Sequence, residues 1–208
     1  MAALGNGTKA PEFELKSLDG RKVVLSDALA RGAVVLAFFK VSCPTCQYAL
    51  PFLERLHKAY SGAQESRGLK PGMNGDADAA LEGRSSTVQS STNPSSTIPS
   101  VGSRSSTVSL IGISQNDAKD TAAFIKEFGI TFPVLLDDTG SYPVSNAYGL
   151  TNVPTIFWIA QDGEIEVSSV GWVKADFEEI NRRMADAGKI APAVMFKPGE
   201  DVRDFRAG

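Results

Sequence analysis

The sequence has few of the residues that bind metal ions tightly. Two cysteines and one histidine occur among its 208 residues. A structural zinc site takes four protein ligands, most often cysteine and histidine, so these three side chains do not complete one. We therefore predict no metal site and, because no phosphate-binding glycine loop is evident either, no organic cofactor.

Basic charge and long apolar runs are also scarce. The formal net charge is −3 at pH 7, which gives no positive field to attract nucleic acid. No apolar stretch approaches the roughly 18 residues of a membrane-spanning helix, and residues 1–9 lack the apolar centre of a secretion signal. We expect no nucleic-acid partner, no membrane span and a cytoplasmic location. The last expectation depends on the chain starting where the sequence places it.

The order of strand and helix signals predicts one α/β domain over residues 1–208. With 42% hydrophobic residues, a chain of this length buries one core. Two short strands flank the turn 17–20 and predict an N-terminal β-hairpin, and a buried strand follows at 33–39. Further strands are predicted at 109–113, 132–136, 153–160 and 165–170, and helices at 44–60, 117–128, 144–148 and 174–187.

Two segments do not fit this order. Residues 61–107 are rich in Ser, Thr, Gly and Pro, and the sequence Arg-Ser-Ser-Thr-Val at 84–88 recurs at 104–108. Because so few apolar residues cannot offset the entropy of ordering the chain, we predict a flexible low-complexity insertion, with a docking loop for a partner as the alternative. Residues 188–208, which Pro and Gly punctuate, are predicted to form an irregular tail.

The two cysteines form one Cys-Pro-Thr-Cys motif between the predicted strand 33–39 and the predicted helix 44–60. Cys43 would cap this helix, where unpaired backbone N–H groups and the helix dipole favour a thiolate. Pro44 suits the first helical position, since its N–H would have had no intrahelical partner. Cys46 lies one turn further, within reach of a disulfide with Cys43. The motif predicts a redox site in which Cys43 attacks and Cys46 resolves; a zinc half-site or two inert buried cysteines are the alternatives.

Several features together resemble the thioredoxin fold. They are the motif Cys43–Cys46 after a buried strand, Val153-Pro154-Thr155 before a predicted hairpin, and the order of the elements. The sequence Ala-Pro-Glu-Phe-Glu-Leu at 10–15 and the Cys-Pro-Thr-Cys motif resemble the redoxin branch more narrowly. That branch holds the TlpA/ResA-type thiol-disulfide oxidoreductases and the AhpC/TSA peroxiredoxins. The resemblance covers about 10–60 and 108–187.

This resemblance implies a three-layer α/β/α sandwich with an N-terminal hairpin extension and a long insertion. It also implies that Pro154 is cis and lies against the cysteine pair, with the backbone of Val153 pairing with the substrate chain. Pro44, Thr45, Val153 and Pro154 are then expected to bind substrate. The alternative for Pro154 is a trans proline that begins a strand.

The sequence departs from the family pattern at the positions that handle protons. Many thioredoxin-like reductases carry a carboxylate that helps to deprotonate the second thiol, and the matching positions here are Ala37 and Ala49. Ser42 replaces the aromatic residue that often precedes the first cysteine. Lys40 near the strand end would add positive potential to the site, although a solvated surface lysine is the preferred interpretation.

The preferred function is a thiol-disulfide oxidoreductase acting on protein or small-molecule disulfides and thiols, with an external thiol as reductant. The first alternative is a peroxiredoxin-like peroxidase, in which Cys43 attacks a hydroperoxide. Lys40 stands where peroxiredoxins have a threonine, and 155–160 supplies no arginine, which disfavours this alternative. The non-enzymatic alternative is a metallochaperone or redox sensor, for which His57 lies too far along its helix.

Overall fold

The computed structural model describes residues 2–68 and 108–208, with the side chains of 62–68 excepted. The strands along these residues are β1 (Glu14–Ser17), β2 (Lys22–Val24), β3 (Val34–Phe39), β4 (Ser109–Ser114), β5 (Val134–Leu136), β6 (Thr155–Ile159), β7 (Ile165–Val170), β8 (Trp172–Val173) and β9 (Phe205–Arg206). The helices are α1 (Leu25–Leu29), α2 (Pro44–Gly68), α3 (Ala118–Phe128), α4 (Pro143–Ala147) and α5 (Lys174–Gly188).

The main sheet has seven strands in the order β2-β1-β5-β4-β3-β6-β7. Strands β3, β4 and β5 run parallel, as successive crossovers through α2 and α3 require, whereas β6 runs antiparallel to β3. The predicted N-terminal hairpin is confirmed: β1 and β2 pair antiparallel, and β1 also joins the main sheet through β5.

Helices cover both faces of this sheet. One face packs against α2, α3 and α5, and the other against α1 and α4. All six residues of β3 are buried, and they alternate between the two cores, as a strand with both faces covered must. The three-layer α/β/α sandwich of the thioredoxin-like fold is thereby confirmed. No helix in the described part of the chain combines the length and hydropathy that a membrane-spanning segment needs.

Helix α2 is longer than the sequence pattern predicts. It runs from Pro44 to Gly68, whereas its end was predicted at residue 60. Residues 61–68 contain no proline, and the single interior glycine at position 62 costs only about 1 kcal/mol relative to alanine, so the helix continues. The remainder of the predicted flexible insertion, 69–107, lies outside the described residues.

The C-terminal segment forms one short strand within a stretch that is otherwise irregular. Within 188–208, expected to be irregular, β9 pairs antiparallel with β8. The indole Nε1 of Trp172 donates to the carbonyl of Arg203 at 2.6 Å, and the Trp172 ring contacts Phe196. The short strand was not predicted because its contacts come from distant parts of the chain, and two residues carry no periodic pattern of their own.

An ion pair between Arg55 on α2 and Glu200 anchors the middle of this segment. Arg55 donates from both terminal nitrogens to the Glu200 carboxylate, each at 2.7 Å, and from Nη1 to the Met195 carbonyl at 2.9 Å. The two side chains are 31% and 26% exposed. Hydrogen bonds from Arg55 and from the Lys197 amide lower the pKa of Glu200 to about 2.

We predict that Glu200→Gln destabilises the protein by about 1 kcal/mol at neutral pH, because a bidentate and partly shielded ion pair is lost. The folded pKa of Glu200 lies below its ordinary value of 4.5, so the stabilisation is complete above that value and is lost as the pH falls towards about 2. Urea unfolding of wild type and variant across this range measures both effects.

Glu178→Gln is the matched control, since it makes the same change on an exposed face of α5. It should leave the unfolding free energy within a few tenths of a kcal/mol of wild type. An equal loss in the control, or a Glu200 effect that persists undiminished at the acid end, would contradict the role assigned to this ion pair.

Candidate active site

The two cysteines are free thiols at the start of α2. The Gln47 amide donates to the Cys43 carbonyl at 3.0 Å, which places Cys43 at the predicted N-cap position. The Cys46 amide donates to the Cys43 sulfur at 3.3 Å, so this sulfur accepts one of the unpaired donors of the first turn. Cys43 is partly exposed and Cys46 is fully buried. Of the two sulfurs, only that of Cys43 is accessible to a substrate.

Burial raises the pKa of the Cys46 thiol strongly, and a backbone hydrogen bond from Lys40 opposes this effect only in part. The sulfur of Cys43 raises it further. Ala37 and Ala49 are fully buried in the same core cluster as Cys46. The two alanines supply no proton acceptor, so Cys46 stays protonated until its surroundings change.

The loop before β6 faces the cysteines. The peptide bond between Val153 and Pro154 is cis, as predicted. The Cys43 thiol donates to the Val153 carbonyl at 3.1 Å, while the Thr155 hydroxyl donates to the Asn152 carbonyl at 2.7 Å. Of the four predicted substrate-binding residues, Val153 therefore lies directly against the sulfur of Cys43.

Two polar side chains that sequence reasoning missed hold the loop between β3 and Cys43. The Asn116 Oδ1 accepts from the Val41 amide at 3.0 Å, and the Gln47 Nε2 donates to the Val41 carbonyl at 2.9 Å. Asn116 follows β4, which runs parallel to β3 and ends at the same edge of the sheet. A polar residue placed just after a buried parallel strand was the signal that could have found it.

The C-terminal residues reach this site. The Thr45 hydroxyl donates to the Ala207 carbonyl at 2.6 Å, and Asn152 Nδ2 donates to the Gly208 carbonyl at 3.2 Å. The approach at Gly208 is close, since a Cβ there would lie 2.7 Å from the Val153 carbonyl oxygen.

Pro44 is exposed beside Cys43, but Thr45 is 4% exposed and its hydroxyl already has a partner in the tail.

A cleft of about 430 Å³ opens beside Cys43. Lys40 and Tyr142 line it, together with Val153. The Lys40 ammonium lies 5.1 Å from the centre of the Tyr142 ring, and the lysine is half-buried. The interpretation of Lys40 as a solvated surface lysine stays a prediction. The structure adds that Lys40 lies at the cleft, because the chain beyond β5 folds back over the strand end and brings Tyr142 against it.

The histidine lies away from the thiols. His57 packs edge-on against Phe132, with ring centres 6.0 Å apart, and its Nδ1 lies 3.3 Å from the Ser61 hydroxyl. Burial lowers the pKa of His57. Within the described residues, no group of three or more His, Cys, Asp or Glu side chains is placed to hold a metal ion.

Comparison with known proteins gives related sequences and structures. The AhpC/TSA family model matches residues 6–65. Thiol-disulfide oxidoreductase ResA of Geobacillus thermodenitrificans is 25% identical over 165 residues, which cover 79% of this chain and 68% of that protein. Thioredoxin-like protein YneN of Bacillus subtilis is also 25% identical, over 79% of this chain and 71% of its own length.

Solved structures agree on the fold. The thioredoxin domain of a thiol-disulfide oxidoreductase from Bacteroides vulgatus superposes with a TM-score of 0.59 at 16% identity, covering 87% of this chain and 98% of that one. A thiol:disulfide interchange protein of the thioredoxin family from Chlorobium tepidum gives 0.54 at 22% identity, over 88% and 99%. The chain thus has a thioredoxin-like fold, its residues 6–65 match the AhpC/TSA family model, and it is similar to the ResA-type thiol-disulfide oxidoreductases.

Proposed function

We propose that this protein is a thiol-disulfide oxidoreductase with Cys43 as the attacking thiol and Cys46 as the resolving thiol. One observation carries the proposal: an accessible Cys43 sulfur lies 3.1 Å from the Val153 carbonyl and 3.3 Å from the amide of the buried Cys46. The similarity to ResA and YneN supports the same chemistry.

The reaction is a pair of exchanges that conserve electrons. The Cys43 thiolate attacks one sulfur of a substrate disulfide, a mixed disulfide forms, and the other substrate sulfur leaves as a thiolate. The Cys46 thiolate then attacks the sulfur of Cys43, which closes the Cys43–Cys46 disulfide and releases the second substrate thiolate. Two electrons pass from the dithiol to the substrate, and an external thiol reductant returns them.

The second exchange requires Cys46 to lose a proton in an apolar core. Because Ala37 and Ala49 cannot accept it, the departing substrate thiolate or water is the acceptor we propose. Burial of Cys46 therefore delays resolution until the mixed disulfide has formed and the leaving thiolate is close by. The direction of net transfer follows from the redox potentials, for which about 30 mV corresponds to 1.4 kcal/mol.

The neighbours of Cys43 are the proposed substrate contacts. Pro44 is exposed on the first turn, and Val153 and Pro154 form the loop opposite the sulfur. Thr45 acts through its hydrogen bond to Ala207, which ties the tail to the start of α2. The substrates we propose are protein and small-molecule disulfides, and the cytoplasmic location stays a prediction.

A peroxidase is the second candidate, because the AhpC/TSA family model covers the segment with the cysteines. In that reaction Cys43 would be oxidised by a hydroperoxide to a sulfenic acid and then be resolved by Cys46. It has less support, since two ResA relatives, which match 79% and 85% of this chain, are named thiol-disulfide oxidoreductases. The metallochaperone or redox-sensor alternative has no observation that favours it.

The assignment of roles predicts selective alkylation of the reduced protein. At neutral pH iodoacetamide should label Cys43 at least about tenfold faster than Cys46, because Cys43 is accessible whereas burial withholds Cys46 and keeps it a thiol. Peptide mass spectrometry over time measures both rates. In concentrated urea the two rates should converge, and faster labelling of Cys46 in the folded protein would reverse the assignment.

The function itself is tested with wild type, Cys43→Ser and Cys46→Ser in two assays, reduction of a protein disulfide and consumption of a hydroperoxide. Wild type should reduce the disulfide, and both variants should lose turnover by at least about a hundredfold. Cys46→Ser alone should accumulate a mixed disulfide with the substrate, visible by non-reducing electrophoresis, because its attacking thiol is intact.

Oxidation of the buried thiol provides the internal check on this experiment. After one turnover, wild type should contain a Cys43–Cys46 disulfide that a small dithiol reduces. Peroxide consumption that survives in Cys46→Ser, together with no disulfide reduction by wild type, would replace the oxidoreductase by the peroxidase.

A further inference from the structure

The cleft beside Cys43 has an uneven charge. Of the described side chains that line it, Lys40 alone carries a formal charge, and the polar remainder, such as Gln115 and Asn152, is neutral. Lys40 makes no ion pair within the described part of the chain. Its contact with the Tyr142 ring positions the ammonium without neutralising it. A positive side chain that no carboxylate side chain of the described lining neutralises therefore stands in the same cleft as the reactive sulfur, and the main chain of Gly208 forms another part of that lining.

The carboxylate that works against this field is Asp137, which lies behind the cleft wall. Asp137 is 2% exposed. It accepts hydrogen bonds from the amide and hydroxyl of Ser145 at 2.8 and 2.7 Å, and from the Val144 amide at 3.2 Å. The Gln115 side chain also donates to the Ser145 hydroxyl, at 2.9 Å, so it adds to the polar residues between Asp137 and the cleft. Since these donors already share its charge, Asp137 does not offer a carboxylate to the cleft.

The C-terminal residues restrict how a substrate reaches the sulfur. Ala207 and Gly208 lie against Thr45 and Val153, which are the neighbours of Cys43 in the site. The cleft that contains both Cys43 and Lys40 is the space we assign to groups attached to a substrate disulfide. The cleft volume of about 430 Å³ is large enough for a small disulfide or one side of a peptide.

We propose that Lys40 makes this cleft selective for disulfides that carry a carboxylate close to the sulfur. The proposal rests on the oxidoreductase function and names its substrate class: acidic small disulfides, or protein disulfides with an acidic residue beside the cysteine. The ammonium of Lys40 pairs with the substrate carboxylate as Cys43 attacks, and no other side chain of the described lining carries a charge that competes for it. A cationic disulfide is repelled by the Lys40 ammonium at the same position in the cleft, so it should react more slowly.

The test uses three small symmetric disulfides of similar size: dithiodipropionate, which is anionic, hydroxyethyl disulfide, which is neutral, and cystamine, which is cationic. Pre-reduced protein is mixed with each, and the second-order rate of its oxidation is measured after acid quenching and alkylation. Wild type should prefer the anionic over the neutral compound, and cystamine should react most slowly once intrinsic reactivities towards a free thiol are divided out.

Lys40→Met removes the charge and keeps the length of the side chain. It should lower the anionic-to-neutral rate ratio about fivefold and raise the cationic-to-neutral ratio. Lys40→Arg should retain most of the preference, and Lys126→Met, which removes an exposed charge on α3, should leave both ratios unchanged. Because a general effect of Lys40 on the reactivity of Cys43 changes all three rates together, the ratios isolate recognition.

The outcomes distinguish a failure of the Lys40 selectivity from a failure of the oxidoreductase function. If wild type reacts neither with these three compounds nor with a protein disulfide, the oxidoreductase function fails; if it reduces the protein disulfide but none of the three compounds, only the proposed selectivity for small disulfides fails. If it reacts with all three at equal corrected rates, or if Lys40→Met leaves the ratios unchanged, the function stands and the selectivity is overturned. An equal change in Lys126→Met would assign the preference to the net charge of the protein instead of to the cleft.

Discussion

Strand β3 is the constraint on which the site depends. Its six residues are buried on both faces, and it hydrogen-bonds in parallel to β4 on one edge and antiparallel to β6 on the other. The register pairs Phe38 with Thr155, so the end of β3 that leads to Cys43 lies beside the start of β6. The sheet thereby brings the thiol and the Val153–Pro154 loop together, although they are far apart in the chain.

Burial divides the two thiols into different chemical environments. Cys43 sits at the mouth of the cleft, whereas Cys46, three residues later on the same helix, faces the core next to Ala37 and Ala49. The resulting rise in the pKa of Cys46 protects it from reagents in solution. In the mechanism we propose, the same burial delays the resolving step until the mixed disulfide has formed and the departing substrate thiolate or water can accept the proton of Cys46.

The C-terminal segment and the Lys40 cleft shape access to Cys43 from two directions. The segment is anchored by the Arg55–Glu200 pair and by Trp172, and it ends against Thr45 and Val153. Lys40 stands in the open cleft with its ammonium over Tyr142. The segment lies against two neighbours of Cys43, and the charge selectivity that we propose for Lys40 comes from a residue outside the Cys-Pro-Thr-Cys motif.

The sequence by itself determined the fold class and the central pair of the site. The local signals were a buried strand, a capping cysteine and a proline at the first helical position. All three lie within about ten residues of Cys43 in the sequence. The cis Pro154 also came from a short motif, through its resemblance to a known fold. The helix end at Gly68 was missed because permissive residues past position 60 leave the boundary without a sharp local signal.

The tertiary structure alone decided what surrounds that pair. Arg55 and Glu200 are 145 positions apart, and Thr45 and Ala207 are 162 apart. Contacts at such separations depend on where the sheet carries each element, and neither partner shows a periodic pattern that marks it. For the same reason no sequence pattern indicated that Lys40 lies near Tyr142 and Cys43. Only the fold brings these residues to one cleft.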